Sequence, residues 1–241
     1  IFKAHELSPL THSALVNALH DAGLPPGVLN LLAHAPAHAA EVTRQLVEDP
    51  RIKKINFTGS TGVGRIIAQM AGRCLKPVLL ELGGKAPAIV WADADVGLAA
   101  RECALGAFLH AGQVCMSTER IIVHSSISDE FEAAFKAAIG DLGLDGAAGL
   151  INRASVLKNQ RLVADAVLKG ASLLHGSMPD TELGAHMAPV IVKNPSRDAD
   201  IFATESFGPT VSLYTVSSEE EAWRWRTIRS TGSRLRSSLR I

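Results

Sequence analysis

The chain has 241 residues, 47% of them hydrophobic, 20% charged and 5% aromatic, with a formal net charge of zero. That length suits one large domain or two modest ones and is ample for a buried core. So apolar and so evenly charged a chain is not intrinsically disordered. Ser8-Pro9 predicts a helix start, with Leu15, Val16 and Leu19 on its apolar face and Gly23, Pro25 and Pro26 ending it. Residues 28–32 read as a short buried strand, 39–47 as a helix, 52–57 as a strand, and a glycine turn then feeds a helix carrying Ile66, Ile67 and Met70. Residues 78–82 form the next predicted strand, 88–91 another, and a long helix spans about 95–110. Beyond it come a strand at 120–123, helices at 129–139 and 154–168, and strands at 172–174, 189–192 and 211–216. Ser217 with Glu220 predicts a capping box for a last helix. Strands alternating with helices imply α/β architecture with parallel pairing.

The zero net charge conceals an asymmetry. Residues 1–222 carry −6, whereas the last 19 hold six arginines and no acid. A mildly acidic body argues against nucleic-acid binding outside the tail. Residues 103–118 lack Asp, Glu, Lys and Arg but include His110 and Gln113, and fall short of the roughly 20 apolar residues of a membrane span. Three cysteines, Cys74, Cys103 and Cys115, are too few for a disulfide framework, which points to a reducing cytoplasm. Ile1-Phe2-Lys3 reads as the interior of a protein already under way, with no secretory signal. The nine histidines suggest no metal site: Pro36 interrupts the spacing of His34 and His38, which read as a solvated loop.

Three elements could carry chemistry. Phe57-Thr58-Gly59-Ser60-Thr61-Gly62-Val63-Gly64 is a glycine-rich strand-to-helix turn, able to present free N–H groups to a phosphate. It is neither the dinucleotide Gly-x-Gly-x-x-Gly fingerprint nor a P-loop, and a plain tight connection explains it equally well. Glu81-Leu82-Gly83-Gly84-Lys85 ends an apolar strand with a carboxylate, where a general base would stand; the alternative is an ion pair of Glu81 with Lys85. Cys115, in Gly112-Gln113-Val114-Cys115-Met116-Ser117-Thr118-Glu119-Arg120, lies in a small polar loop and could be a nucleophile, although a lone loop cysteine is more often inert. Cys103, among Ala99, Ala104 and Ala107, reads as a packed core thiol.

In this order the three elements resemble the aldehyde dehydrogenase superfamily. Glu205-Ser206-Phe207-Gly208-Pro209 is similar to its Glu-x-Phe-Gly-Pro signature, and Lys3-Ala4-His5-Glu6-Leu7-Ser8-Pro9 to its Lys-Pro-Ser-Glu cofactor segment. The resemblance implies the second part of a Rossmann-like cofactor-binding sheet (residues 1–83), an α/β catalytic domain (84–222) and an aberrant Arg/Ser-rich tail (223–241), truncated at both ends. It implies Cys115 as nucleophile and Glu81 as the base activating the hydrolytic water. It further implies that Lys3, Glu6, Gly59, Ser60, Gly64, Leu82, Glu205 and Phe207 bind the dinucleotide. Lys3 and Glu6 would meet the adenosine ribose, Glu205 the nicotinamide ribose, and Phe207 the nicotinamide ring. A carboxylate at Glu6 accepts bonds from a free 2′-hydroxyl and repels a 2′-phosphate, favouring NAD over NADP.

The implied reaction is oxidation of an aldehyde to a carboxylic acid through a cysteine thiohemiacetal and thioester. Cys115-Met116-Ser117-Thr118-Glu119-Arg120 is most similar to members acting on aromatic aldehydes such as salicylaldehyde or vanillin. Full-length members are homo-oligomeric; no nucleic acid or membrane partner is implied. The family's Pro-Trp-Asn segment, whose Asn is the second oxyanion donor, has no counterpart in these 241 residues, and its loss would cost about 2.7–4 kcal/mol in the barrier. GC-rich codons for the family stretch A-N-D-T-E-Y-G-L, read one base late, translate as R-T-I-R-S-T-G, which matches residues 226–232. An out-of-frame tail is therefore expected; an arginine-rich binding arm is the competing reading. A catalytically incompetent, nucleotide-binding remnant is the alternative to an active enzyme.

Overall fold

A computed structural model describes residues 1–178 and 184–227. The chain divides into two compact units, the first Ile1–Leu82 and the second beginning at Gly83.

In the first unit, β1 (Phe2–Lys3) pairs in parallel with β2 (Leu31–Leu32), and β3 (Ile55–Gly59) with β4 (Val78–Leu82). Between β1 and β2 runs α1 (Pro9–Asp21), with proline in its first turn as expected. A 3-10 turn at Pro36–His38 leads into α2 (Ala39–Glu48), and α3 (Thr61–Arg73) connects β3 to β4. Val47, Ile67 and Ala71 are the buried centre of this unit, flanked by Ile55, Phe57, Met70 and Val78. Two expectations need correction. The strand predicted over 28–32 contracts to Leu31–Leu32 and is not buried: Val28 is 63% exposed. The strand predicted over 52–57 shifts to Ile55–Gly59, because the ladder with β4 begins only at Ile55↔Val78.

The second unit is built on a five-stranded sheet in the order β5-β6-β11-β10-β8. Its strands are β5 (Ala86–Val90), β6 (Thr118–His124), β8 (Ser172–His175), β10 (Val190–Lys193) and β11 (Thr210–Val216). All neighbours are parallel except β8, which runs antiparallel to β10. A minor ribbon pairs β7 (Ala148–Gly149) with β9 (His186–Met187), two strands that carry no sequence signal.

Helices α4 (Val96–Phe108) and α5 (Ser128–Asp141) pack on Val90, Ile121, Val123, Val211 and Leu213. A second core gathers α6 (Arg153–Leu168), Val190, Val192 and Ile201 of α7 (Asp200–Ala203). The last helix, α8 (Glu219–Arg226), is capped one residue later than predicted. Ser218 Oγ accepts from Glu221 N–H, so the N-cap is Ser218 rather than Ser217, and the Glu221 carboxylate accepts from the N–H of Ser217, one residue before the cap. The helix predicted to reach residue 110 stops at Phe108, and the backbone turns left-handed at His110 and Ala111. The α/β class and parallel pairing stand as expected. Residues 228–241, most of the expected aberrant tail, lie outside the described residues; 223–226 are the end of α8.

Candidate active site

Within the first unit, three of the eight predicted cofactor residues stand at the carboxyl ends of parallel strands. Lys3 ends β1, Gly59 ends β3, and Leu82 ends β4, one residue past Glu81. Glu81 is exposed and stands in register with Thr58. Ser60 caps α3 by accepting the Val63 N–H, 3.4 Å away. The Thr61 and Gly62 N–H groups in that first turn have no partner within the helix, and the first turn itself holds no acidic residue. Space beside Gly62 is open: a Cβ there would meet nothing within 4 Å. A cradle of this kind accepts an anion, so the residues fit a dinucleotide diphosphate. Gly64 and Leu82 serve packing as well, because a Cβ on Gly64 would lie 2.6 Å from Leu82 Cδ2.

Lys3 Nζ lies 2.8 Å from His34 Nε2 and 3.3 Å from its neighbour's carbonyl. His34 is therefore not a freely solvated loop residue as expected; it is half-buried against Lys3. The Glu6 carboxyl is held below the usual range, first by a backbone hydrogen bond at its own residue and then by the nearby His5, Lys3 and His34. Glu6 thus stays an acceptor at neutral pH.

Within the second unit, Cys115 is exposed in the turn that enters β6. Three consecutive residues before it, His110, Ala111 and Gly112, have φ of 53°, 56° and 68°. Two of them are not glycine, and such a run is held only by its surroundings. The restraints are specific. Gln113 Nε2 donates to the carbonyls of His110 and Gly149 at 3.2 Å, and its Oε1 accepts from Ile151 N–H at 2.9 Å. Ser117 Oγ donates to Gly112 O. Gly112 sits directly against the Gly208 carbonyl, where any Cβ would collide.

That contact brings the cysteine loop to residues 205–209. The Glu205 carboxylate lies over Gly83 and Gly84, accepting from Gly84 N–H at 3.1 Å, and only a residue without Cβ at position 83 leaves room for it. Burial pushes the Glu205 carboxyl above the usual carboxylate range. Phe207 is 37% exposed and has φ of 46°, a left-handed conformation for an aromatic residue.

The group that organises this cluster is one that motif reading passed over. Glu119, 3% exposed on β6, accepts from Ser206 N–H and Oγ, from Phe207 N–H, and from Lys85 Nζ at 2.5 Å. The alternative partnership of Lys85 with Glu81 is thereby excluded: Lys85 is a buried cation paired with Glu119. Arg120, also buried, donates Nε to Lys85 O and its Nη groups to the carbonyls of Trp225 and Arg226 at the end of α8. Burial pulls the Arg120 guanidinium down to about 10. Asn159 of α6 donates to Ser206 O, and a Cβ on Gly208 would strike its amide. The available signal was a pair of opposite charges, Glu119-Arg120, on a strand that continues Ile121-Ile122-Val123.

One unit is a parallel α/β unit with an open helix N-terminus, and the other displays an exposed thiol beside a Glu-x-Phe-Gly-Pro strap. The chain belongs to the aldehyde dehydrogenase family, whose profile matches residues 1–232. It is 39% identical over 227 residues to the vanillin dehydrogenase of Pseudomonas fluorescens, covering 91% of this chain and 46% of that protein. The crystal structure of a salicylaldehyde dehydrogenase from Pseudomonas putida G7, complexed with salicylaldehyde, superposes with a TM-score of 0.86 at 41% identity, covering 93% of this chain and 47% of that one. An E. coli NADP dependent enzyme gives a TM-score of 0.85 at 32% identity, over 93% and 47% of the two chains. The chain spans about half the length of these relatives. No described helix is long and apolar enough to cross a membrane.

Proposed function

We propose that this chain takes part in the NAD(P)-dependent oxidation of an aldehyde to a carboxylic acid, with Cys115 as the nucleophile. The exposed Cys115 turn, fastened by Gln113, Ser117 and the Gly112–Gly208 contact beside Glu205 and Phe207, carries this reading. The thiol loses its proton to a base, and Sγ attacks the carbonyl carbon, forming a C–S bond and a thiohemiacetal oxyanion that the Cys115 N–H stabilises. A dinucleotide, when bound, would supply the hydride acceptor. Loss of hydride restores the C=O bond and leaves a thioester on Sγ. Glu81 then takes a proton from the attacking water, the C–S bond breaks, and the sulfur departs as thiolate with the acid as product.

Lys3, Glu6, Gly59, Ser60, Gly64 and Leu82 would hold the adenosine and diphosphate end, and Glu205 and Phe207 the nicotinamide end. The Glu6 carboxylate favours NAD, although one similar enzyme is described as NADP dependent. The names of the vanillin and salicylaldehyde relatives favour an aromatic substrate. Residues 1–83 would be the cofactor half and 84–222 the catalytic half.

Incubating the chain with NAD and benzaldehyde tests the reading. NADH absorbance should rise, and Cys115→Ala should lose it by at least a thousandfold. Because the chain spans about half of its relatives, the competing reading is an incompetent remnant; Cys115-dependent ester hydrolysis without NADH would favour that remnant with a live thiol.

A further inference from the structure

We propose that Glu119 is a positioning residue whose carboxylate, neutralised by Lys85, holds the Ser206-Phe207 backbone in the one conformation that offers Glu205 and Phe207 to a dinucleotide. The inference rests on the reading of residues 205–209 as a cofactor-binding strap.

Four donors converge on this carboxylate from two separate chain segments. Oε1 accepts from Ser206 N–H (2.9 Å), Ser206 Oγ (2.8 Å) and Phe207 N–H (3.1 Å), while Oε2 takes Lys85 Nζ (2.5 Å) and a longer bond from Ser206 N–H (3.2 Å). Glu119 and Lys85 side chains are each 4% exposed, so neither charge has water as an alternative partner. A buried carboxylate that accepts adjacent backbone N–H groups fixes their peptide planes much as a capping side chain fixes a helix end. At Phe207 it does so against a cost, because φ of 46° is a conformation that an aromatic residue leaves unless it is held.

The far side of the strap is fixed through the same partners. Lys85 follows Gly84, whose N–H meets Glu205, and Arg120, next to Glu119, donates to the Lys85 carbonyl. One ion pair therefore sets both the Glu205 carboxylate and the Phe207 ring. It does so from the strand that also begins the exit from the Cys115 turn.

The roles of the two partners separate by substitution. In Glu119→Gln, one amide oxygen can still accept from Ser206 and Phe207, but the amide nitrogen would face the Lys85 ammonium, donor against donor. Pairing Glu119→Gln with Lys85→Gln gives that nitrogen an acceptor and removes the cation. Dinucleotide binding by titration calorimetry, the NAD KM and kcat, and the rate of Cys115 alkylation by iodoacetamide are measured on the wild-type chain and both variants.

Glu119→Gln should weaken NAD binding at least tenfold and raise the NAD KM by a similar factor, with Cys115 alkylation within threefold of wild type. The double variant should recover to within about threefold of wild-type binding. Wild-type NAD affinity in Glu119→Gln, or a double variant no better than the single, overturns the proposal. A wild-type chain that binds NAD but makes no NADH removes the catalytic reading alone, while the binding comparison still decides the role of Glu119. A wild-type chain that does not bind NAD overturns both.

Discussion

Cys103 is 2% exposed among alanines of α4, and burial pushes its thiol up to about 12, whereas Cys115 is exposed in a turn. Thiolate, not thiol, is what alkylates. Iodoacetamide at pH 8 should therefore modify Cys115 in the native chain and spare Cys103 until unfolding, as peptide mass spectrometry would show; equal labelling would contradict the assignment. Cys103 also ties stability to alkali. Its folded value lies above the ordinary thiol value of 9.0, so the unfolded chain releases this proton first. Stability is then full below about pH 9 and falls by about 1.4 kcal/mol per pH unit from there towards 12. Cys103→Ala should remove that increment from the slope of denaturation midpoint against pH. The contrast between the two cysteines was legible in sequence, because an alanine-rich helix and a polar Gly-Gln loop differ in composition. The Lys85–Glu119 pair was not legible: two charges 34 positions apart show nothing of the strand pairing that buries them together.

The helices and strands carry their own tests. Gly112 has φ of 68° and lies against the Gly208 carbonyl, a backbone atom that cannot swing aside as a side chain can. Gly112→Ala combines left-handed strain of about 1–2 kcal/mol with that collision. We expect a loss of more than 2 kcal/mol in urea unfolding, together with slower Cys115 alkylation as the turn is displaced. Ser60→Ala should be mild, near the lower end of the roughly 0.5–2 kcal/mol of a lost cap, because its bond to Val63 N–H is long and exposed.

Period and punctuation marked most of these elements. Ser8-Pro9 announces the first helix, the glycine turn feeds α3 as expected, and β4 falls where predicted. The misses have physical causes. The 28–32 segment has an apolar composition but only two residues of ladder, and β7 and β9 exist only as a two-residue pairing. The shift of the last cap by one residue turns on which serine hydroxyl accepts a first-turn N–H, a choice the adjacent pair Ser217-Ser218 leaves open; Ser218 takes the Glu221 N–H.

At the scale of the whole molecule, the two units have unequal cores. The first buries a small centre around Val47, Ile67 and Ala71, whereas β6 and β11 of the second are almost wholly enclosed, with Ile121, Ile122, Val123, Val211 and Leu213 inaccessible to solvent. Hydrogen exchange should accordingly be slowest in β6 and β11 and fast in α1, whose one buried residue is Val16. Protection in α1 equal to that of β6 would contradict this ranking. Family membership was legible from five short motifs in order, each a local arrangement of glycine, carboxylate or thiol. The restraints that shape the site come from Lys85 just before β5, from Glu119 of β6 and from Asn159 of α6, whose side chains meet only after folding.

The central claim, that Cys115 forms a covalent acyl intermediate on the way from aldehyde to acid, is met most directly by acid-quenched mass spectrometry of Glu81→Gln mixed with NAD and benzaldehyde. With hydrolysis slowed, the account predicts one benzoyl group per chain, located on the peptide containing Cys115 and absent when NAD is omitted. NADH formation with no acyl group on Cys115, or acylation at Cys74 or Cys103 instead, would contradict it.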